Sequence, residues 1–349
     1  MKIFETWGVH KIIYFFEIHQ KSKHHYHHIN ELFTSKRNYY FSMVAFFIGM
    51  LMTLPIIYVE VEYDVFNMHH MNLEIIWGYI ALVVLFIFLE FYLLFLLGFY
   101  LLSYQLYHVL EIYKKSHIHT MEDREFLAML VRTVMELPEP EIVRYDINHK
   151  ENGDQEWFMW AFFYKLKVVM TNFILKFIVK KALTRSSLRL YTPYVATLGT
   201  GAWDGIIFYR TIKDSQYKIV VRLILLYLLE HKSILLSQEN YIKAILIRYF
   251  HYGEYNNNFD YLLSEIYAIS SFDYVVLDIV KEDILKEVNN SFLLLLYALK
   301  EKKYTKKEKL IIEQLSNKEE LNLLKKSLRR ADFNYLYNYI DSQISNCKL

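Results

Sequence analysis

The chain has 349 residues, of which 54% are hydrophobic and 17% aromatic, with only 9 Gly and 4 Pro. This composition favours long helices over turn-rich sheet. A formal net charge of +2 excludes the broad positive field of a nucleic-acid binder, and a lone cysteine, Cys347, excludes an internal disulfide and a Cys-type zinc cluster.

Residues 1–40 form a basic, His-rich segment carrying Lys2, Lys11, Lys21, Lys23, Lys36 and Arg37. Its KHHYHH tract, His24, His25, His27 and His28, is able to ligate zinc or nickel as neutral imidazoles. The neighbouring Lys21 and Lys23 and the lack of carboxylates favour a lipid-facing patch that charges below about pH 6.5. No metal or other cofactor is expected.

Two long apolar runs follow, residues 41–58 and 75–102, and together they predict a transmembrane hairpin spanning 41–103. The connecting segment carries Glu60, Glu62 and Asp64 and no Lys or Arg, whereas Lys114, Lys115 and Arg124 follow the second run. The positive-inside bias therefore predicts a multi-pass protein of the inner membrane with both termini cytoplasmic. Tyr39, Tyr40, Tyr58, Trp77, Tyr79, Tyr100 and Tyr104 fall where interfacial aromatic rings belong. The first run begins too late and lacks a cleavage motif, so a removable signal peptide is not expected.

Glu90 lies near the middle of the second run. A carboxylate at bilayer depth costs about 2.5 kcal/mol or more, so it is expected to be protonated, paired or turned to a cavity. Two readings follow: a functional intramembrane group, or a protonated Glu that joins helices by bonding to Ser42, Thr53 or a partner subunit.

Residues 104–156 read as juxtamembrane helices and a loop. The second span continues as a helix to about residue 115, Thr120 and Asp123 resemble a capping box, Pro138 and Pro140 end the helix that box opens, and 144–156 is a polar loop. Asp146, Asn148, Asn152 and Asp154 around Gly153 align in no calcium-loop register.

Residues 157–212 form an apolar, membrane-proximal region. In 157–183, Lys165, Lys176 and Lys180 share a helical side with Asn172, while Trp157 and Trp160 belong to the broad apolar remainder. That composition suits a helix lying in the membrane interface and equally a core helix with one solvated stripe. Pro193, Gly199, Gly201 and Gly205 then mark a place where helices approach or bend, a re-entrant or packing element with Trp203-Asp204 as a polar packing point or a site.

Residues 213–349 carry helical periodicity with charged faces and short polar connections, predicting a cytoplasmic helical bundle that begins with a helix at 217–230. Here 292–315, FLLLLYALKEKKYTKKEKLIIEQL, and more loosely 223–246 each give an apolar helix, a polar turn and a capped second helix. These hairpins resemble those of the tellurite-resistance TerB-like helical domains. The resemblance implies a membrane-anchored bacterial protein of envelope or stress responses. Family turns carry acidic metal-binding residues, but those here read Glu230-His231-Lys232-Ser233 and Glu301-Lys302-Lys303-Tyr304, and lysines oppose a cation.

The sequence holds no phosphate-cradling loop, HExxH or nucleophile elbow. The expected fold is all-α, a two-helix transmembrane hairpin plus a multi-helix bundle. The expected function is a non-enzymatic anchor that presents an interaction domain to a protein partner or a second copy, with the lipid bilayer as its other partner and no nucleic acid. The alternative is an oligomeric channel or membrane-perturbing effector that uses Glu90.

Overall fold

A computed structural model of the chain describes residues 2–20, 33, 35–62, 73–112, 121–137, 192–230 and 318–346, with 258, 261, 262, 295, 298 and 299. Among these residues the protein is all-helical, with no strand. Seven helices are defined: α1 (Lys2–Gln20), α2 (Ser35–Glu62), α3 (Leu73–Ile112), α4 (Met121–Val134), α5 (Thr192–Glu230), α6 (Lys318–Arg330) and α7 (Phe333–Asn346).

Two of them are long and apolar enough to cross a membrane, over Lys36–Val59 in α2 and Trp77–Val109 in α3. The expected spans lie inside these helices. Pro55 sits in the last third of α2, where its missing N–H removes one helical hydrogen bond while the helix runs on to Glu62. At 40 residues α3 is about 60 Å long, roughly twice the thickness of a bilayer's hydrocarbon, so it projects well beyond any membrane it crosses.

The N-terminal segment, read as a basic stretch, contains a 19-residue helix. Gly8, Ile12 and His19 recur at helical spacing on the buried side of α1. Trp7 meets Tyr92 and Phe99, Phe15 meets Tyr100, and Phe16 meets Tyr107, so α1 runs parallel to α3 along its second half.

Helix α4 ends in a Schellman turn. Glu136 takes φ 51°, and the Leu137 N–H reaches back to the Arg132 carbonyl at 2.7 Å. The structure ends the helix one turn before the prolines that sequence reading makes responsible. A left-handed non-glycine residue costs about 1–2 kcal/mol, here offset by the closed backbone bonds and by Leu137 packed on the core.

The link between α6 and α7 repeats the device, with Ala331 at φ 54° and the Asp332 N–H bonded to the Ser327 carbonyl at 2.9 Å. Asp332 then caps α7 by accepting from the Tyr335 N–H at 3.3 Å. Acidic Glu319 and Glu320 open α6 and Arg329 and Arg330 close it, as the helix dipole favours. This hairpin is tied to the end of α5 where the Tyr227 hydroxyl donates to Asp341 at 2.8 Å.

Helix α5 is continuous over 39 residues and passes through 212 and 213, where composition suggested a change of domain. It is therefore the common wall of the molecule, contacting α2, α3, α4, α6 and α7. One hydrophobic core joins all seven helices, with Phe99, Leu102, Leu130 and Ile224 fully enclosed. Each such side chain contributes about 1.5–3 kcal/mol by leaving water.

Candidate functional site

The surface that distinguishes this molecule is the upper arm of α3. Every position from 77 to 97 is exposed or half-exposed, and Trp77, Leu85 and Phe88 reach 68%, 64% and 68% exposure. In the most apolar 18-residue stretch of this helix no residue is buried, whereas a core helix of a soluble protein would be mostly covered. Cover begins at Gly98. An added Cβ there would lie 2.7 Å from a Val134 methyl, so the missing side chain lets α4 close on α3.

Helix α2 has two different sides at the same height. Met43, Phe47 and Leu51 are exposed, while Ser42, Ala45, Gly49 and Thr53 are buried. The Ser42 and Thr53 hydroxyls donate to the carbonyls of Asn38 and Gly49, each at 2.7 Å, and so are satisfied within their own helix. Small residues at such spacing let a second helix approach closely.

That second helix is α5, running antiparallel. A Cβ on Gly201 would meet the Phe46 carbonyl at 2.6 Å, and one on Gly205 would meet the Ser42 carbonyl at 3.0 Å. Thr197, Gly201 and Gly205, four apart, thus form one close-packing stripe. Gly199 lies off it and faces open space. Pro193 occupies the first turn of α5, where a missing N–H disturbs no helical bond. Asp204 is buried in the seam, 8% exposed, with its carboxyl filling the space that Gly49 leaves by lacking a side chain.

Glu90 lies half-exposed on the upper arm of α3. Arg37 stacks on Tyr104 at 4.5 Å and Phe41 on Tyr100 at 6.2 Å, which sets α2 and α3 antiparallel. Counting from the Phe41–Tyr100 pair at 1.5 Å per residue, Gly49 with Asp204 lies about 12 Å and Glu90 about 15 Å further up. Sequence reading singled out Glu90 for its apolar flanks. Asp204 is set apart by the four-residue spacing of small residues on α2 and α5, a signal that was present in the sequence.

Below the bare arms lies a belt of aromatic and basic groups. Tyr39 stacks on Tyr209 at 5.0 Å, Lys213 lies 6.0 Å over the same Tyr209 ring, and His19 packs against Tyr100 and Tyr104. Burial lowers the His19 and Lys213 pKa values, disfavouring their charged forms. Beside this belt Asn38 and Gln216, 1% and 4% exposed, exchange two amide hydrogen bonds of 2.9 Å. This pair escaped sequence reading because the partners are 178 residues apart.

The lower bundle has its own polar ties. Arg132 pairs with Glu5 at 3.3 Å, Lys218 donates to Thr133 at 2.7 Å near the negative end of α4, and Arg222 stacks on Phe126 and Tyr261. Among the described residues no group of three or more His, Cys, Asp or Glu is arranged to hold a metal ion. The tract His24, His25, His27 and His28 lies outside the described residues, as do Trp157, Trp160, Lys165, Lys176 and Lys180, the 144–156 loop, residue 120 and the turns at 231–233 and 301–304.

Comparison with known proteins gave no match: no protein family, curated protein or solved structure is significantly similar to this chain.

Proposed function

We propose that the chain is an integral membrane anchor, in which α2 and the upper arm of α3 cross the bilayer and hold a cytoplasmic helical bundle that serves as an interaction domain. The observation that carries this reading is the bare upper arm of α3, continuous with a lower arm enclosed in protein. Exposing that apolar surface to water would be costly, and lipid hydrocarbon removes the cost without a protein partner. The basic residues before α2 and after α3, against Glu60, Glu62 and Asp64 between them, support cytoplasmic termini. The TerB-like resemblance and a role in envelope or stress signalling, through a protein partner or a second copy, belong to the same proposal.

Alkaline extraction of membranes tests it. The chain is expected in the pellet, released only by detergent, with a C-terminal tag cleaved by protease from the cytoplasmic side. Release into the aqueous fraction, or a tag protected on that side, would overturn the anchor.

One observation favours the channel reading: Glu90, a carboxyl amid an apolar arm, is half-exposed. Ion flux through reconstituted protein that disappears with Glu90→Gln but survives Leu85→Ala would establish it. Absence of flux would remove it.

A further inference from the structure

We infer that the upper arm of α5, residues 192–209, is a third membrane-embedded helix, with Leu198, Ala202, Trp203 and Ile206 facing lipid hydrocarbon and Gly201 and Gly205 closed on α2. The inference rests on the anchor reading and extends it to a segment that hydropathy passes over, since among the described residues only α2 and α3 carry stretches apolar enough to count as spans.

Height is the first argument. Gly201 lies between Phe46 and Met50 and Gly205 between Ser42 and Phe46, so the antiparallel register sets the first residue of α5 level with about residues 55–59, near the far end of the candidate span of α2. From there to Tyr209 the helix covers about 26 Å at 1.5 Å per residue, close to the ~30 Å of a bilayer's hydrocarbon. If α2 is in lipid over this length, α5 is beside it.

Surface chemistry is the second. From 192 to 209 the only Asp, Glu, Lys or Arg is Asp204, and it is buried in the seam. Leu198 and Ile206 are 52% and 49% exposed, and with Ala202 and Trp203 they form an outward apolar face. Charge returns at Arg210, which the same register sets within about one turn of Arg37, and Tyr209 stacks there on Tyr39. Apolar surface therefore gives way to aromatic and basic residues at one level on both helices, as at a membrane interface.

The weak hydropathy of this arm has a physical cause. Gly201 and Gly205 admit the α2 backbone, and a helix sealed on one side by protein needs apolar side chains only on the other. Averaging over all its residues hides the half that meets lipid.

Site-directed spin labelling of the full chain in liposomes tests this. In a Cys347→Ser background, single cysteines replace Leu85 on α3 and Leu198 and Ile206 on α5, and collisions of each label with oxygen and with a water-soluble nickel chelate are compared. All three labels are expected to favour oxygen over nickel. If the Leu85 label does so while those at Leu198 and Ile206 favour nickel, α5 is in water and the inference falls with the anchor intact. If the α5 labels are shielded from both reagents, a second copy or another part of the chain covers this face and the inference also falls. A Leu85 label that favours nickel would instead overturn the anchor itself. Helical circular dichroism unchanged in each variant, expected for substitutions at exposed positions, keeps the four outcomes separate.

Discussion

The two arms of α3 have the same kind of sequence and opposite surroundings. From 77 to 97 no position is buried, whereas Phe99, Leu101 and Leu102 are completely enclosed a few residues later. Apolar side chains need only to be out of water, and either lipid or protein satisfies that need. What changes near Gly98 is the number of neighbouring helices: among the described residues α1, α4 and the lower part of α5 gather around the second arm, whereas on the first α1 reaches only its lower end, where Trp7 meets Tyr92. The comparison teaches that hydropathy measures a demand for cover and leaves the covering medium open.

Truncating one leucine in each arm gives the largest contrast. Leu102→Ala removes an enclosed side chain and is expected to cost about 2–5 kcal/mol, whereas Leu85→Ala, which on the proposed anchor reading faces tails as apolar as itself, should cost below about 1 kcal/mol. Reversible unfolding of the purified chain in lipid or mild detergent measures both. Equal losses would show that the upper arm is packed against protein.

The glycines of α5 sharpen the same contrast on a second helix. Gly201→Ala thrusts a methyl group at the Phe46 carbonyl, a backbone atom that cannot swing aside, and should destabilise by about 1–3 kcal/mol. Gly199→Ala meets open space in a helix interior and should stabilise by about 0.5–1 kcal/mol. Thermal unfolding of the two variants should move in opposite directions.

Between bare and covered regions, Asn38 and Gln216 are satisfied by each other. Asn38→Leu strands the Gln216 amide and should cost about 1–3 kcal/mol, and adding Gln216→Leu should recover part of that loss. Additive losses in the double variant would mean that the pair is not coupled.

The smallest expected effect concerns the clasp of α1 on the covered arm. His19 faces the Tyr100 and Tyr104 rings, with Arg37 across Tyr104, and burial depresses its pKa from the free value of 6.5. The unfolded chain then binds a proton that the folded chain resists. Stability is therefore full above pH 6.5 and declines as the pH falls below it toward the depressed value. His19→Phe should flatten this part of the stability profile. An unchanged slope would assign it to other groups.

Helix content and the two candidate spans were legible in the sequence because long apolar runs and scarce Gly and Pro are local properties. Two elements were not. The first helix escaped because Ile3, Phe4, Tyr14 and Ile18 spread apolar surface around it and blur the stripe carried by Gly8, Ile12 and His19. The continuity of α5 escaped because its glycines read equally as a close helix approach and as a bend; Gly201 and Gly205 are contact points for α2, and close packing offsets their poor helix propensity. Glu90 stood out by its apolar flanks. The Asp204 seam required knowing which helix lies opposite.

The sequence by itself determined the helical class, the segments that must leave water and the charge asymmetry around them, since these follow from side-chain chemistry along the chain. Only the tertiary structure decided which apolar surfaces are closed by protein. That choice depends on small residues of distant segments, Gly201 with Phe46 and Gly98 with Val134, meeting at backbone distance. Local composition does not encode such meetings, because a glycine admits whichever helix the rest of the fold brings against it.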